Sequence, residues 1–554
     1  MIQATVNPAT VSQPRYGLIV EKDVDVPLRD GLALKCDVFR PDDEGVFPAI
    51  ITLGPYPKDE HMDYGDAAEE SGPYMHWESA NPEWWIPRGY VQVRMDMRGS
   101  GRSPGFCDIV STQETLDYYD AIEWAAAQPW CSGSVGLMGI SYFALNQWNV
   151  AALHPPALKA MIPWEGWSDL YRDSTHQGGI FGDGFFSFWY WNGVVKRTLG
   201  ENTELWRDQF APFFDDIRDH ELDGPYYRER SARFDEITVP FLSAGNWGGA
   251  GLHLRGNTEA FFRSPSDHKR LRMHTGTHVG PFYRLEARLD QIHFFDFWLK
   301  GIDNGLMEEP PVKLAIRTSA DEEEWRFEHE WPLARTDWTK LFLSMEDGGR
   351  LTPDAPEAPG EVSYSAEGPR SHEFRGASFS TGPFSEDVEI TGPLNLVVRV
   401  SSTTDDMDIF VAVRNIAPDG SEVCFPNGWA QPSPASRGWL RASHRKLDQA
   451  LSLPYRPYHA HDEIEPLVPG EPTLVEVEIL PMCNRFKKGH RLRLDIQPWE
   501  DDPTIRYSHD NSDRWRGRHT IHVGGDQAAY LLVPIIPPAV RVRGGKSAGS
   551  TPPK

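Results

Sequence analysis

Apolar and polar residues follow two different rhythms along the chain, and the change between them lies near residue 335. In the first part, short apolar runs rich in branched side chains recur between longer stretches of helical period. The runs are FPAIITL (47–53), GYVQVRMD (89–96), SVGLMG (134–139), LKAMIP (158–163), VPFLSAG (239–245) and RLRMHTG (270–276). Strands separated by helices need crossover connections, so this spacing predicts a largely parallel sheet with helices on both faces. Two helices are legible. TQETLDYYDAIEWAAAQPW (112–130) has apolar residues at Leu116, Tyr119, Ile122 and Ala126 between a Thr-x-x-Thr start and a proline stop. LEARLDQIHFFDFWLKG (285–301) ends in Lys-Gly, which suits a helix C-terminus.

Beyond residue 335 the period drops to two. LNLVVRVSS (394–402), MDIFVAVRNIAPDGSEV (407–423), TLVEVEIL (473–480) and HRLRLDIQ (490–497) alternate between Asp-Gly and proline-rich turns, which predicts a β-sandwich or jelly roll. Residues 164–238 interrupt the earlier strand rhythm and include GGIFGDGFFSFWYWNGVV (178–195). A helical insertion packed on the sheet would account for them. So many rings beside so many glycines favour instead a lid over an apolar pocket.

Composition narrows the function classes. A chain of 554 residues is long enough for several domains and a cleft between them, and its 20 Trp and 27 Phe suit apolar pockets. The formal charge of -26, with no clustered Lys/Arg stripe, argues against nucleic acid and anionic membrane surfaces as partners. The five cysteines (Cys36, Cys107, Cys131, Cys424 and Cys483) lack CxxC spacing, so neither a disulfide framework nor a zinc site is expected. The N-terminus has no basic segment followed by an apolar run, and nowhere do about eighteen apolar residues run together; a soluble cytoplasmic protein is expected.

The chemistry gathers around GLMGISYFALNQW (136–148), an apolar run that turns at Gly139-Ile140-Ser141 and enters a helix. A serine on such a turn is either a nucleophile raised above the sheet or an ordinary helix N-cap. Phe143 stands where G-x-S-x-G would place its second glycine. His278, in HTGTHVGPFY (274–283) beyond the last apolar strand, supplies a base in the order Ser then His, whereas His274 lies within the strand and reads as structural. Tyr56, in TLGPYPKD (52–59) after an early strand, lies where an oxyanion-hole loop would be, with the Tyr142 N–H as second donor.

Several stretches together resemble the cocaine esterase and X-Pro dipeptidyl-peptidase superfamily of serine hydrolases, the CocE/NonD hydrolases. They are DMRGSGRSPG (96–105), DAIEWAAAQPWCSGSVGLMGISYFA (120–144), LKAMIPWEGWSDLYRD (158–173), FFDFWLKGIDNG (294–305) and TGPLNLVVRVSSTTDDMDIFV (391–411). The family's serine lies in G-x-S-Y-x-G, so Phe143 is expected and only Ala144 departs. The resemblance implies Ser141 as nucleophile, His278 as base, and Tyr56 with the Tyr142 amide as oxyanion hole. It also implies an α/β-hydrolase core (1–163 and 239–334), a helical cap (164–238) and a C-terminal β jelly roll (335–540); the composition of RGGKSAGSTPPK at the end predicts a disordered tail (541–554).

The triad acid departs from the family pattern. Gly249 stands where the resemblance implies an aspartate, and no Asp or Glu occurs between Glu236 and Glu259. Three accounts stand open: a carboxylate from the preceding core strand, with Glu165 ahead of Asp169; Asn246 orienting a neutral imidazole; or an impaired site in a ligand-binding protein. RGSGRSPG (98–105) lacks the lysine of a phosphate loop, and HMDYGD (61–66) and SHDNSD (508–513) read as solvated loops rather than metal sites, so no cofactor and no metal are expected. The expected reaction is hydrolysis of a small-molecule ester or amide with a hydrophobic acyl group. An α-amino-acid ester or X-Pro peptide is the alternative, which would need a pocket carboxylate such as Asp183 or Asp169 to hold the free amine. Oligomeric state is left open, a homo-oligomer included.

Overall fold

The computed structural model describes residues 6–65, 68–367, 374–500, 509 and 515–538. The apolar runs of the first part become strands of one sheet: β1 (Leu18–Pro27), β2 (Ala33–Pro41), β3 (Phe47–Gly54), β4 (Val91–Asp96), β5 (Cys131–Ile140), β6 (Leu158–Trp164), β7 (Phe241–Asn246), β8 (Lys269–His274), β9 (Val312–Arg317) and β10 (Glu323–Glu328). In space they lie in the order β1-β2-β4-β3-β5-β6-β7-β8-β9-β10. The stretch from β4 through β9 is parallel, and antiparallel strands close both ends. Every residue of β3 and β4 is buried, as expected of parallel strands covered on both faces.

Between the early strands lie α1 (Pro82–Trp85), α2 (Thr112–Ala126) and α3 (Tyr142–Ala151). Ile51, Leu53, Val93 and Leu137 point to the face carrying α2 and α3, where they join one core cluster. Ile50, Met138, Ile140 and Ile162 point the other way and join a second. The buried face of α2 is rotated from the predicted one: Glu114, Asp117, Tyr118, Ala121, Ile122 and Ala125 are buried, and Ser111 is the N-cap. The cause is polar. The Glu114 carboxylate accepts from the Tyr142 hydroxyl and from Asn146, and Asp117 pairs with Arg98, so these carboxylates turn inward.

Between β6 and β7 the chain forms a run of short helices: α4 (Asp183–Phe188), α5 (Lys196–Leu199), α6 (Trp206–Gln209), α7 (Phe213–Asp219) and α8 (Pro225–Glu229). Helices this short do not stand alone in water. They are held by ring packing, with Phe186 edge-on to both Trp167 and Trp189 and Trp189 against Phe213. After β7 come α9 (Leu254–Arg263), α10 (Gly280–Tyr283) and α11 (Leu285–Lys300), whose Leu289, Ile292 and Phe295 belong to the second cluster.

The C-terminal part is β-rich around a core of its own. The strand Val388–Ser402 pairs antiparallel with Thr473–Phe486, Arg518–Val523 and Tyr530–Ile536, and Asp408–Ile416 lies between Ser436–Arg441 and Arg491–Gln497. The predicted run 407–423 breaks at its Asp-Gly turn into a hairpin, Asp408–Ile416 with Glu422–Val423. The cysteines form no disulfide among the described residues, and Cys36, Cys107, Cys131 and Cys483 are buried. The predicted tail, 541–554, lies outside the described residues. No helix among the described residues is long and apolar enough to cross a membrane.

Buried ion pairs join the parts. The Arg255 guanidinium on α9 pairs with Asp173, near the start of the helical insertion, at 2.9 Å and with Glu478 of the C-terminal part at 3.1 Å. Arg255→Met leaves two carboxylates facing each other without their cation. We expect a loss of about 3–5 kcal/mol, read as a lowered midpoint in thermal or urea unfolding.

Candidate active site

Between β5 and α3 the chain reverses within one residue. Ser141 has φ 57° and ψ −112°, a conformation that a residue with a side chain adopts at a cost of about 1–2 kcal/mol. Its N–H donates to Trp164 O at 3.0 Å, tying the turn to the end of β6. The turn needs glycine at 139, where a Cβ would lie 2.3 Å from that of Phe143. Ser141 thereby faces a cavity of about 510 Å³, lined also by Tyr56, Trp77, Phe185, Trp189, His278 and Trp429.

Glu165 directly follows β6, also at positive φ (48°), with its N–H donating to Ala244 O at 2.7 Å. Buried to 1 % exposure, its Oε2 lies 2.7 Å from His278 Nδ1. Asn246 Nδ2 donates to Glu165 Oε1 at 3.2 Å, so Asn246 orients the carboxylate rather than the imidazole. The His278 backbone N–H donates to Gly428 O of the C-terminal part at 2.7 Å. On the far side of the ring, Nε2 lies 3.3 Å from Oε1 of a second buried carboxylate, Glu78. Burial alone would lower the His278 pKa. The attraction of Glu165 and Glu78 outweighs it and pushes the imidazole up to about 10. Burial raises both carboxylates.

The Ser141 hydroxyl has a different neighbour, His253 Nε2 at 3.3 Å. His253 precedes α9 and is sandwiched between Trp167 (5.8 Å, 11°) and His278 (5.0 Å, 12°). Burial, with the charge of His278 behind it, pushes the His253 pKa down and keeps that ring neutral. Tyr56 Oη accepts from Trp189 Nε1 at 3.0 Å, which leaves its own O–H to donate into the cavity, and burial raises its pKa so that the proton stays. The Tyr142 N–H, at the first turn of α3, makes no hydrogen bond among the described residues. The Tyr142 side chain is pinned by Glu114 at 2.6 Å.

Comparison with known proteins places this arrangement. Residues 30–280 match the X-Pro dipeptidyl-peptidase (S15 family), and residues 304–532 match the X-Pro dipeptidyl-peptidase C-terminal non-catalytic domain. A CocE/NonD family hydrolase from Staphylococcus aureus superposes with a TM-score of 0.87 at 31% identity, over 96% of this chain and 100% of that one. The chain belongs to the CocE/NonD hydrolase family. The cocaine esterase of a Rhodococcus species is 23% identical over 93% of this chain and 98% of its own length. An α-amino acid ester hydrolase shares the fold, with a TM-score of 0.71 at 17% identity over 96% of this chain and 98% of that one. The chain is accordingly a serine hydrolase of the esterase and peptidase type.

Within the CocE/NonD frame, two departures have local explanations. The methyl of Ala144 is accommodated by Gly166, where a Cβ would come within 2.7 Å of it. At Gly249 there is no side chain to reach His278, and the carboxylate on Nδ1 comes from the next strand over. Asp169 instead caps the turn at 170–175 and pairs with Arg172, and His274 ends β8 with Nε2 3.5 Å from Glu165. Asp183 starts α4. Two residues beside the site, Glu78 and His253, were not singled out in the sequence. His253 is the one imidazole in the loop where the acid was sought. Glu78, in MHWESANPEWW (75–85), has no motif around it. Asp66 of HMDYGD, and all of SHDNSD except His509, lie outside the described residues.

The tightness of the turn yields a prediction. Gly139→Ala forces Phe143 and the start of α3 away, and by the usual cost of overpacking it should lose roughly 1–3 kcal/mol of unfolding free energy, measured by urea titration.

Proposed function

We propose that the chain hydrolyses a carboxylic ester or amide of a hydrophobic acyl group through an acyl-Ser141 intermediate. The observation that carries this reading is the 2.7 Å contact between Glu165 and His278 Nδ1 at a cavity that also contains Ser141. The strand order and the helices between β6 and β7 support an α/β-hydrolase core with a helical cap over the cavity. The antiparallel pairing of the C-terminal part is consistent with a jelly roll. Small-molecule substrates and a cytoplasmic setting belong to the same reading.

His278 Nε2 takes the hydroxyl proton as Ser141 Oγ attacks the acyl carbon, and Glu165 stabilises the imidazolium that results. The developing oxyanion takes hydrogen bonds from Tyr56 Oη–H and the Tyr142 N–H, helped by the N-terminus of α3. The imidazolium then protonates the leaving alcohol or amine. Water repeats the sequence on the acyl-enzyme and regenerates the serine. His253 is the weaker candidate for base: its Nδ1 is buried without a hydrogen-bond partner, so nothing would stabilise its protonated form.

A free-amine substrate is the second reading, favoured by Glu78, which faces the same cavity. It ranks second because the Glu78 charge is already engaged by His278.

Intact-mass measurement after incubation with a fluorophosphonate tests the assignment. The wild type should gain one adduct and Ser141→Ala none. Glu165→Gln should label and turn over about 10⁴-fold more slowly, by analogy with loss of a triad acid. Tyr56→Phe should lose about 10²–10³-fold in kcat on an ester substrate, as expected for one oxyanion donor. An unlabelled, folded wild type would contradict the reading.

A further inference from the structure

His278 is held between two carboxylates, and only one of them is needed to orient it. We propose that Glu78 is a positioning residue that engages His278 Nε2 in the resting enzyme, so that this nitrogen must exchange the Glu78 carboxylate for the Ser141 hydroxyl before catalysis begins. The inference rests on the reading of Ser141, His278 and Glu165 as the hydrolytic residues.

Three observations carry it. The first is the pairing itself. A ring whose nitrogens both face ionised carboxylates, at 2.7 and 3.3 Å, satisfies both only as the imidazolium, with one N–H for each. A general base needs the opposite, a lone pair on Nε2. The second is the serine, whose hydroxyl bonds to His253 while His278 is turned to Glu78; among the described residues Ser141 and His278 share no hydrogen bond. The third is the way Glu78 is fixed. It sits at positive φ (55°) with 2 % exposure, its N–H donates to the Tyr64 hydroxyl at 2.8 Å, and its carbonyl accepts from Ile140 N at 2.9 Å, one residue before the nucleophile. Strain at a buried acid, knitted to the nucleophile's own turn, marks a place the fold maintains at a cost.

The charged and titratable groups around this pair come from every neighbouring element. Glu165 follows β6, His274 ends β8, His253 precedes α9, Tyr283 ends α10, and Tyr56 and Tyr64 lie in the segment after β3. Arg197 of α5, paired with Glu60 at 3.0 Å, adds a positive charge near Glu78. Glu78 Oε2 is buried and has no donor among the described residues, so that oxygen of the carboxylate is unsatisfied. A substrate seated over Ser141 can complete the exchange by drawing His278 Nε2 to the serine.

The sign of the pH dependence follows. Glu78 and Glu165 both favour the imidazolium, so the neutral base forms as pH rises, and removal of one negative charge brings that transition to lower pH. The test is the rate of fluorophosphonate labelling of Ser141 as a function of pH, in wild type, Glu78→Gln and Glu78→Asp, with Ser141→Ala as control. Gln keeps the size and an acceptor but removes the charge. Its midpoint should fall by roughly one to three pH units, the range set by an opposite charge in contact, with faster labelling at pH 7. Asp keeps the charge on a shorter arm and should fall between Gln and wild type, which keeps the test in hand if the Gln variant does not fold. Labelled variants with an unmoved midpoint, or a folded Glu78→Gln that labels at no pH, would overturn the proposal alone. An unlabelled wild type would overturn the hydrolase reading and this proposal together.

Discussion

The contact between Glu165 and His278 is the constraint from which the site is built. A fully buried carboxylate is costly unless a positive partner and hydrogen bonds surround it. Here the partner is an imidazole 2.7 Å away, and a hydrogen bond comes from Asn246 Nδ2 at 3.2 Å. Meeting that requirement explains the strained φ at Glu165, the close packing of the β6 and β7 ends, and the anchoring of the His278 loop on Gly428. The C-terminal part is therefore mechanically joined to the chemistry: Gly428 holds the His278 backbone, and Trp429 forms part of the cavity wall.

The same physics accounts for the second carboxylate. Two ionised carboxylates can remain buried beside one imidazole when the ring carries a proton on each nitrogen. That arrangement stabilises the folded site and opposes its use as a base. In the proposed mechanism, exchange of partners at Nε2 reconciles the two, and the stack of His278 on His253 and Trp167 gives the ring a flat surface against which to shift.

Much of the architecture was legible in the sequence because it is written in periodicity. The runs at 47–53, 134–139 and 158–163 became β3, β5 and β6, since burial on both faces leaves few polar positions to obscure them. The face of α2 was misread because the buried Glu114 and Asp117 are hydrogen-bonded polar residues that a hydrophobicity pattern places outside. In the site, Ser141, His278 and Tyr56 follow strands or turns with recognisable context. Glu165 was reached from its place at the end of the preceding core strand, where a carboxylate was sought once Gly249 left the usual position empty. Glu78 was illegible and His253 had only its place in the loop after β7 to mark it: each reaches the centre from an irregular segment, by tertiary contacts that no local pattern encodes.

The measurement that tests the central claim most directly is a crystal structure of the enzyme phosphonylated on Ser141. The account predicts His278 Nε2 within hydrogen-bond distance of the adduct, with Glu165 still on Nδ1 and Glu78 released. An adduct contacted by His253, with His278 still paired to Glu78, would contradict it.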